Sequence, residues 1–312
     1  MIRILFISIL FLSGSASAQH IRMILPVSAG SGVDTIARAT APALSKALGA
    51  QVVIENLPGA GGVTGTAAIV KAAPNGQTIG LVSNNHVINP SVYPKMPFDS
   101  LEDITPISVL GTTPFVLVVN PKVPAKDVKE LVAFAKAKPG AYNYASSGNG
   151  TIIHLAGEMF VREAGIEVRH IPYKGTGPML QDLIGGQVEM GVVALPAVQG
   201  HLKSGALRAI GITGRNRAPA AKEIPTVAEQ GLPNYDVEGW FAVVGPAKLP
   251  AAEVSRIHGA FVAAFAAPEV QEAMAKQGNV IKPSSPQAAT EMFRSELAKY
   301  ARVVRAAGVK ID

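Results

Sequence analysis

The chain has 312 residues and no cysteine, and its 28 Lys and Arg against 22 Asp and Glu give a formal net charge of +6 at pH 7. The lack of cysteine excludes disulfides, thiolate metal sites and a lipidated cysteine. The basic residues are scattered, and with one Trp and six Tyr the chain lacks the basic patch with stacking aromatics that nucleic-acid binding requires.

Residues 1–18 have the pattern of a secretory signal peptide. Arg3 supplies the positive start, a largely apolar run follows over 4–12, and Ala16 to Ala18 form a small-residue cleavage site. The run is about half of the roughly 20 residues that span a bilayer. We therefore predict cleavage near Ala18, export and no membrane anchor. The sequence shows neither a cell-wall anchor pattern nor a second hydrophobic span, which favours a bacterial periplasm as the destination.

A series of strands and helices follows the predicted leader. A short apolar strand over 21–25 leads into a glycine- and serine-rich turn at 26–34, here called the first elbow, and then into a helix that ends before Gly49. The pattern recurs with strands over 52–55 and 78–83 and a glycine-rich turn at 59–65 between them. This alternation predicts an open parallel sheet, with Asp34 as the N-cap of the first helix.

Polar residues follow the strand over 78–83. Ser83 and His86 lie where open α/β sheets present ligand contacts, so both are candidate ligand-binding residues. Alternatively, His86 is a loop histidine whose ring bonds neighbouring backbone. The turn at 59–65 suggests dinucleotide binding only weakly, because the required glycine spacing ends on Thr64.

Two strands are predicted to carry the chain between two lobes. A proline-rich loop leads to the β-branched run 115–120, which predicts the first crossing, and 240–244 predicts the return. From Pro250 the chain is helical, with Ser285 as an N-cap, and we expect these helices to pack on the first lobe. The first lobe is thus predicted to comprise 19–119 and 241–312, and the second lobe 120–240.

A second elbow at 146–151 follows a predicted strand and precedes a helix over 152–164. Both elbows would present a helix N-terminus, with free backbone N–H groups and a partial positive charge suited to an anion. Neither contains Arg or Lys, so donors to a carboxylate must be backbone N–H groups and hydroxyls. Alternatively, both elbows are ordinary turns in which Asp34 and Thr151 only cap helices.

His154 and Glu158 lie one turn apart on the helix after the second elbow, a spacing compatible with a metal site or acid–base chemistry. No third ligand has suitable spacing. We therefore expect His154 to support the second elbow, and we predict neither a metal nor a cofactor.

Four segments carry a resemblance to a known family: PVSAGSGVD at 26–34, ENLPGAGG at 55–62, NYASSGNGT at 143–151 with HLAGE at 154–158, and HIPYKG at 170–175. They resemble the Bug family, the periplasmic solute receptors of tripartite tricarboxylate transporters. The resemblance covers essentially the whole chain after the leader. It implies a type II periplasmic binding protein fold, in which two crossing strands join two α/β lobes around a ligand cleft.

In that family both elbows grip a ligand carboxylate through backbone amides, hydroxyls and bridging water. Carried over to this chain, the resemblance implies ligand contacts from two sets of residues: Val27, Ser28, Ala29, Gly30, Ser31 and Asp34; Ser146, Ser147, Gly148, Asn149 and Thr151.

Two departures from the family pattern bear on the ligand. Val27 replaces a frequent aromatic residue, which alters one wall of the pocket. Val193 and Ala194 stand where the family often has Asp-Asn, so a ligand ammonium would find no counter-charge there. We therefore include Val193 among the ligand-binding residues and predict a ligand without an amine.

The resemblance implies a monomeric, non-enzymatic receptor. We expect it to capture a small aliphatic or aromatic mono- or dicarboxylate and deliver it to the inner-membrane permease of a tripartite transporter. Two alternatives remain at this point. One is a carboxylate sensor with a signalling partner; the other is a secreted hydrolase using Ser146 or Ser147 with His154, although the sequence has neither a Gly-x-Ser-x-Gly elbow nor an acid placed to orient the histidine.

Overall fold

A computed structural model describes residues 20–309, so the predicted signal peptide lies outside the described residues. The chain forms two α/β lobes. The first lobe begins with β1 (His20–Leu25), α1 (Gly32–Leu48), β2 (Gln51–Asn56), α2 (Val63–Val70), β3 (Thr78–Ser83), α3 (Asn85–Val92) and β4 (Ile104–Thr113).

The second lobe follows directly, and the chain then returns to the first. The second lobe contains β5 (Phe115–Val119), α4 (Val128–Ala137), β6 (Asn143–Ser146), α5 (Ile152–Ala164), β7 (Arg169–Pro172), α6 (Thr176–Gly185), β8 (Met190–Ala194), α7 (Leu195–Lys203) and β9 (Arg208–Ile212). The returning segment contains β10 (Gly239–Pro246), α8 (Ala251–Ala266), α9 (Pro268–Gln277), β11 (Val280–Ile281) and α10 (Pro286–Ala307).

Both sheets are mixed, which corrects the prediction of a purely parallel sheet. The first has the order β11-β4-β10-β3-β1-β2 and the second β7-β6-β8-β5-β9. β1 is parallel to β2 and β3, whereas β10 is antiparallel to β3 and β4. In the second sheet β6 is parallel to β7 and β8, whereas β5 is antiparallel to β8 and β9. A strand that enters from the other lobe starts at the cleft, where the parallel strands end, and therefore runs against them.

The crossings lie a few residues earlier than the sequence predicts. β5 belongs entirely to the second sheet, so the first crossing is at Pro114 rather than after residue 119. β10 pairs only with strands of the first sheet, beginning at Gly239, so the return is complete before residue 240. Pro114 has no N–H to donate, and it separates the β4 ladder from that of β5.

The start of α1 corrects another prediction. Its N-cap is Ser31, whose hydroxyl accepts from the backbone N–H of Asp34, so Asp34 lies at the third helical position instead of at the cap. Thr151 caps α5 and Ser285 caps α10, as predicted. The proline-rich segment expected as a loop contains α3 and the unpredicted strand β4.

Buried apolar residues form two clusters. One lies between the first sheet and helices α1 and α8, and includes Met23, Leu44 and Phe261. The other runs from the second lobe to the α3 and α10 side of the first lobe. Helix α8 contacts α1, and α10 contacts α3 and β4, which confirms that the C-terminal helices pack on the first lobe. Within residues 20–309 no helix is both long and apolar enough to cross a membrane.

Candidate functional site

A cleft of about 540 Å³ lies between the two lobes. The first elbow, the turn at 58–62 and α3 form one wall; the second elbow and the turn at 172–176 form the other. All these segments follow the carboxyl ends of strands, where a sheet of this class places its ligand contacts. Among the described lining residues Lys174 is the one charged side chain, and it lies at the exposed rim.

A smaller inner cavity of about 60 Å³ lies deeper in the cleft, beside the crossings. It shares Val27, Asn85, Ser147 and Thr176 with the outer cleft, so the two spaces have a common wall. The first two residues of α1 and of α5 line it from opposite lobes. Two helix N-termini therefore meet at one cavity, and no Asp or Glu of the described chain lines it.

The first elbow is held in shape by Asp34. Its carboxylate accepts from Gly30 N at 3.0 Å, from Arg38 Nε at 3.0 Å and from Asn56 Nδ2 at 3.0 Å. Burial opposes ionisation of this carboxyl, but these hydrogen bonds outweigh it and lower the pKa of Asp34. Asp34 thus carries a negative charge that the neighbouring Arg38 neutralises. Both of its carboxylate oxygens accept hydrogen bonds from residues of the first lobe.

The second elbow is held by side chains behind it. Gly148 N donates to Ser146 Oγ at 3.2 Å, and Gly150 N donates to His154 Nδ1 at 3.1 Å. Thr151 Oγ1 donates to Gly148 O at 2.8 Å. These bonds fix the turn without using the N–H groups of Ser147 and Asn149, for which no acceptor occurs within residues 20–309.

His154 and His170 lie stacked behind the second elbow, with ring centroids 3.9 Å apart. His170 Nε2 contacts Ser146 Oγ at 2.7 Å. Burial, together with the neighbouring His154, lowers the pKa of His170 to about 4. Because His154 Nδ1 accepts a hydrogen bond, its neutral ring carries the proton on Nε2, which lies 3.7 Å from Glu158 Oε1.

The lobes contact each other directly across the cleft. Asn85 Oδ1 of the first lobe accepts from Ile152 N at 2.8 Å, at the start of α5. Thr176 N donates to Ser28 Oγ at 3.0 Å, and Tyr93 OH donates to Asn149 O at 3.2 Å. The structure is therefore a closed arrangement in which each elbow already bonds the opposite lobe.

The structure brings most of the predicted site residues to the two spaces. Those that line them are Val27, Ser28, Ser31, Ser83, Ser147, Gly148, Asn149 and Thr151. Four predicted elbow residues do not: Ala29, Gly30, Asp34 and Ser146. Ala29 and Gly30 are exposed, whereas Asp34 and Ser146 are buried and bonded within their own lobes. His154 contacts the second elbow from behind, where a supporting residue is expected.

His86 is a correction, because its ring lies in the core of the first lobe. It is 2% exposed and packs against Phe98 and Phe293. Its Nε2 donates to Ser100 O at 2.8 Å, while burial lowers its pKa to about 4. The ring lines neither the outer cleft nor the inner cavity. The alternative of a histidine bonded to neighbouring backbone describes it better than the predicted ligand contact.

Val193 is a second correction. It is fully buried, pairs with Val116 of β5 and packs in the apolar core of the second lobe. The next residue, Ala194, lines the inner cavity instead. Successive side chains of a strand point to opposite faces, so only one residue of this pair can face the ligand space.

Several polar lining residues were not among the predicted site residues, and Asn85, Tyr93, Thr113 and Thr176 are examples. Asn85 stands between Asn84 and His86, and the position after a strand was a usable signal for it. Thr113 had no such signal, because β4 contains Pro106 and its pattern did not predict a strand.

The comparisons with known proteins agree with this geometry. Residues 36–309 match the family model described as the tripartite tricarboxylate transporter family receptor. The structure of the periplasmic binding protein BugD is 29% identical, with a TM-score of 0.90 over 94% of this chain and 99% of that one. An R. palustris protein solved with adipate is 29% identical, with a TM-score of 0.91 over 95% and 100%.

A protein from Rhodopseudomonas palustris solved with bound malate is 26% identical, with a TM-score of 0.86 over 91% of this chain and 98% of that one. These similarities confirm the periplasmic binding protein fold and the receptor class. With the family match extending over most of its length, the chain belongs to the tripartite tricarboxylate transporter receptor family, the group that includes the Bug proteins.

Proposed function

We propose that this protein captures a small carboxylate without an amine and delivers it to the permease of a tripartite transporter. The signal-peptide pattern at 1–18 supports export to the periplasm, where a monomer would act as a passive receptor. The observation that carries the proposal is the meeting of the α1 and α5 N-termini at one cavity with no acidic lining.

The donors at this cavity suit a carboxylate. Gly32 and Val33 begin α1, and Ile153 is the second residue of α5. The N–H groups of these first-turn residues have no acceptor within their own helix. No acceptor for these three groups occurs within residues 20–309. A carboxylate offers about four lone-pair sites and is stabilised by such donors from both lobes at once.

The lining also supports a ligand without an amine. An ammonium entering either space would meet no Asp or Glu of the described chain, and an uncompensated buried charge costs several kcal/mol. The expectation of an amine-free ligand therefore depends on the lining of both spaces and no longer on Val193. The adipate- and malate-bound relatives hold dicarboxylates that also lack an amine.

Geometry does not favour the hydrolase alternative. Ser146 is fully buried and its hydroxyl is hydrogen-bonded to His170 Nε2, so an external substrate cannot reach it. Ser147 bonds Thr151, while His154 Nδ1 is occupied by the backbone of Gly150. Among residues 20–309, no Ser–His pair that lines the cleft therefore has the nucleophile-to-base contact that acyl transfer requires. The sensor alternative uses the same cleft and differs only in the partner.

Calorimetric titration with matched ligand pairs tests the proposal. Succinate against aspartate, and glutarate against glutamate, each differ chiefly by one amine. We expect each dicarboxylate to bind at least about tenfold more tightly than its amino acid partner, a difference of about 1.4 kcal/mol. Tighter binding of the amino acids, or binding of sugars alone, would contradict the proposal. Ligand-dependent co-purification with the permease, compared with a signalling receptor, separates transport from sensing.

A charge introduced at Val27 tests the site itself. Val27 lines both spaces and is half-buried. Val27→Asp places a carboxylate beside the ligand carboxylate, and we expect affinity to fall by about tenfold or more through like-charge repulsion. Val27→Asn is the control of equal size. Equal affinities of the two variants would show that the ligand charge lies elsewhere.

A further inference from the structure

Thr113 stands out among the residues of the inner cavity because its hydroxyl is unsatisfied. It is the last residue of β4, immediately before the crossing at Pro114, and is 4% exposed. Its Oγ1 is buried without a hydrogen-bond partner among residues 20–309. Leaving a buried hydroxyl without a hydrogen-bond partner is unfavourable, so the position of Thr113 in the wall of the inner cavity requires an explanation.

The surroundings account for the methyl group of Thr113 but not for its hydroxyl. Thr113 pairs with Gly239 of β10, and a Cβ on Gly239 would lie 2.7 Å from Thr113 Cγ2. The methyl therefore packs where Gly239 leaves room for it. Both residues line the inner cavity, so a group bound there lies beside Thr113.

Thr213 provides a comparison at the end of β9, beside the other crossing. Thr213 is also buried, but its Oγ1 donates to Val237 O at 2.6 Å and lies 3.3 Å from Phe115 O. Its hydroxyl thus has a structural role within the second lobe. Residue 113 is also a threonine in a similar location, but its Oγ1 has no acceptor among residues 20–309.

The size of the inner cavity limits what can occupy it. About 10–15 Å³ holds one water, so about 60 Å³ accommodates a carboxylate group but not a whole dicarboxylate. The rest of such a ligand would extend past the shared wall at Val27 and Thr176 into the outer cleft.

We propose that Thr113 is a ligand-binding residue whose hydroxyl donates to the carboxylate held in the inner cavity, an inference that rests on the carboxylate-binding function proposed above. The hydroxyl supplies a donor from the crossing, while the N–H groups of Gly32 and Val33 come from the first lobe and that of Ile153 from the second. One carboxylate thus satisfies donors from both lobes and from the segment between them. Binding of the carboxylate gives the Thr113 hydroxyl a hydrogen-bond acceptor.

Two substitutions at Thr113 test this role by calorimetric titration. The probe is whichever of succinate, glutarate and adipate binds the wild-type protein most tightly. Thr113→Val keeps the shape and removes the donor, so we expect affinity to fall at least about tenfold, as for loss of a hydrogen bond to a charged group. Thr113→Ser keeps the donor and should bind within about threefold of the wild type.

Thermal unfolding without ligand separates a ligand contact from a structural one. Thr113→Val should unfold at the same temperature as the wild type or higher, because an unpaired hydroxyl is removed. Thr213→Val, which breaks a satisfied bond, should unfold at a lower temperature. Unchanged affinity in Thr113→Val would overturn the inference while leaving carboxylate binding intact. Failure of the wild-type protein to bind any carboxylate would overturn the proposed function and this inference together.

Discussion

The buried ring of His86 is expected to make the protein less stable as the pH falls from 7 to 5. In an unfolded chain a histidine has a pKa of about 6.5, whereas burial lowers that of His86 to about 4. The unfolded state therefore binds more protons across this window, and the free energy of unfolding decreases as the pH falls. Full stability from this group is present above about pH 6.5.

The magnitude follows from the difference between the two pKa values. Between pH 6.5 and 5 the free energy of unfolding decreases by about 1.4 kcal/mol per pH unit, or about 2 kcal/mol in all. Protonation of the folded state is more costly, because the ring packs against Phe98 and Phe293 and Nδ1 has no hydrogen-bond partner among residues 20–309.

Urea unfolding at pH 7 and pH 5 measures this effect. Trp240 is the single tryptophan of the chain, and its ring centroid lies 5.3 Å from that of Phe293. Its fluorescence therefore reports on the core that surrounds His86. His86→Gln retains a donor for Ser100 O but does not titrate. We expect the wild-type protein to lose about 2 kcal/mol more than the variant between the two pH values. An equal loss in both proteins would refute the assignment of acid sensitivity to His86.

Two further predictions concern the elbows. Ser31→Ala removes the N-cap of α1, so it should lower the free energy of unfolding by about 1 kcal/mol in urea and also weaken carboxylate binding. As the control, Ser285→Ala removes the N-cap of α10 and should change the free energy of unfolding but not the affinity. Gly175→Ala should weaken binding in calorimetric titration, because its φ is 117° and a Cβ would lie 2.6 Å from the Ser28 side chain across the closed cleft. Gly205→Ala, at φ 73° with no neighbour within 4 Å, should leave affinity unchanged, and equal weakening in both variants would contradict closure at Ser28.

Local features of this protein could be predicted from the sequence because their causes lie within a few residues. The hydroxyl of Thr151 caps α5, and the glycine-rich turns mark where strands pass into helices. The alternation of strands and helices indicated the α/β class, and the four family-like segments indicated the receptor family. The family assignment is confirmed by the match over residues 36–309.

The crossings were harder to place because the same local pattern fits either sheet. The apolar run of β5 suggested a strand that links the lobes, yet it is buried throughout as a strand of the second sheet. Whether such a run crosses or joins a sheet depends on its pairing partners, β8 and β9, which follow it by some 70 to 100 residues. Pairing over that distance leaves no local signal.

The sequence by itself determined the two elbows, the helix N-termini they begin and the absence of arginine or lysine within them. Only the tertiary structure decided which neighbouring side chain reaches the cleft: Asn85 rather than His86, and Ala194 rather than Val193. It also brought Thr113, whose hydroxyl has no partner among residues 20–309, to the wall of the inner cavity. The physical reason is that a cap or turn is stabilised by adjacent residues, whereas a cavity wall forms where distant segments pack, and strand register sets which side chains face it.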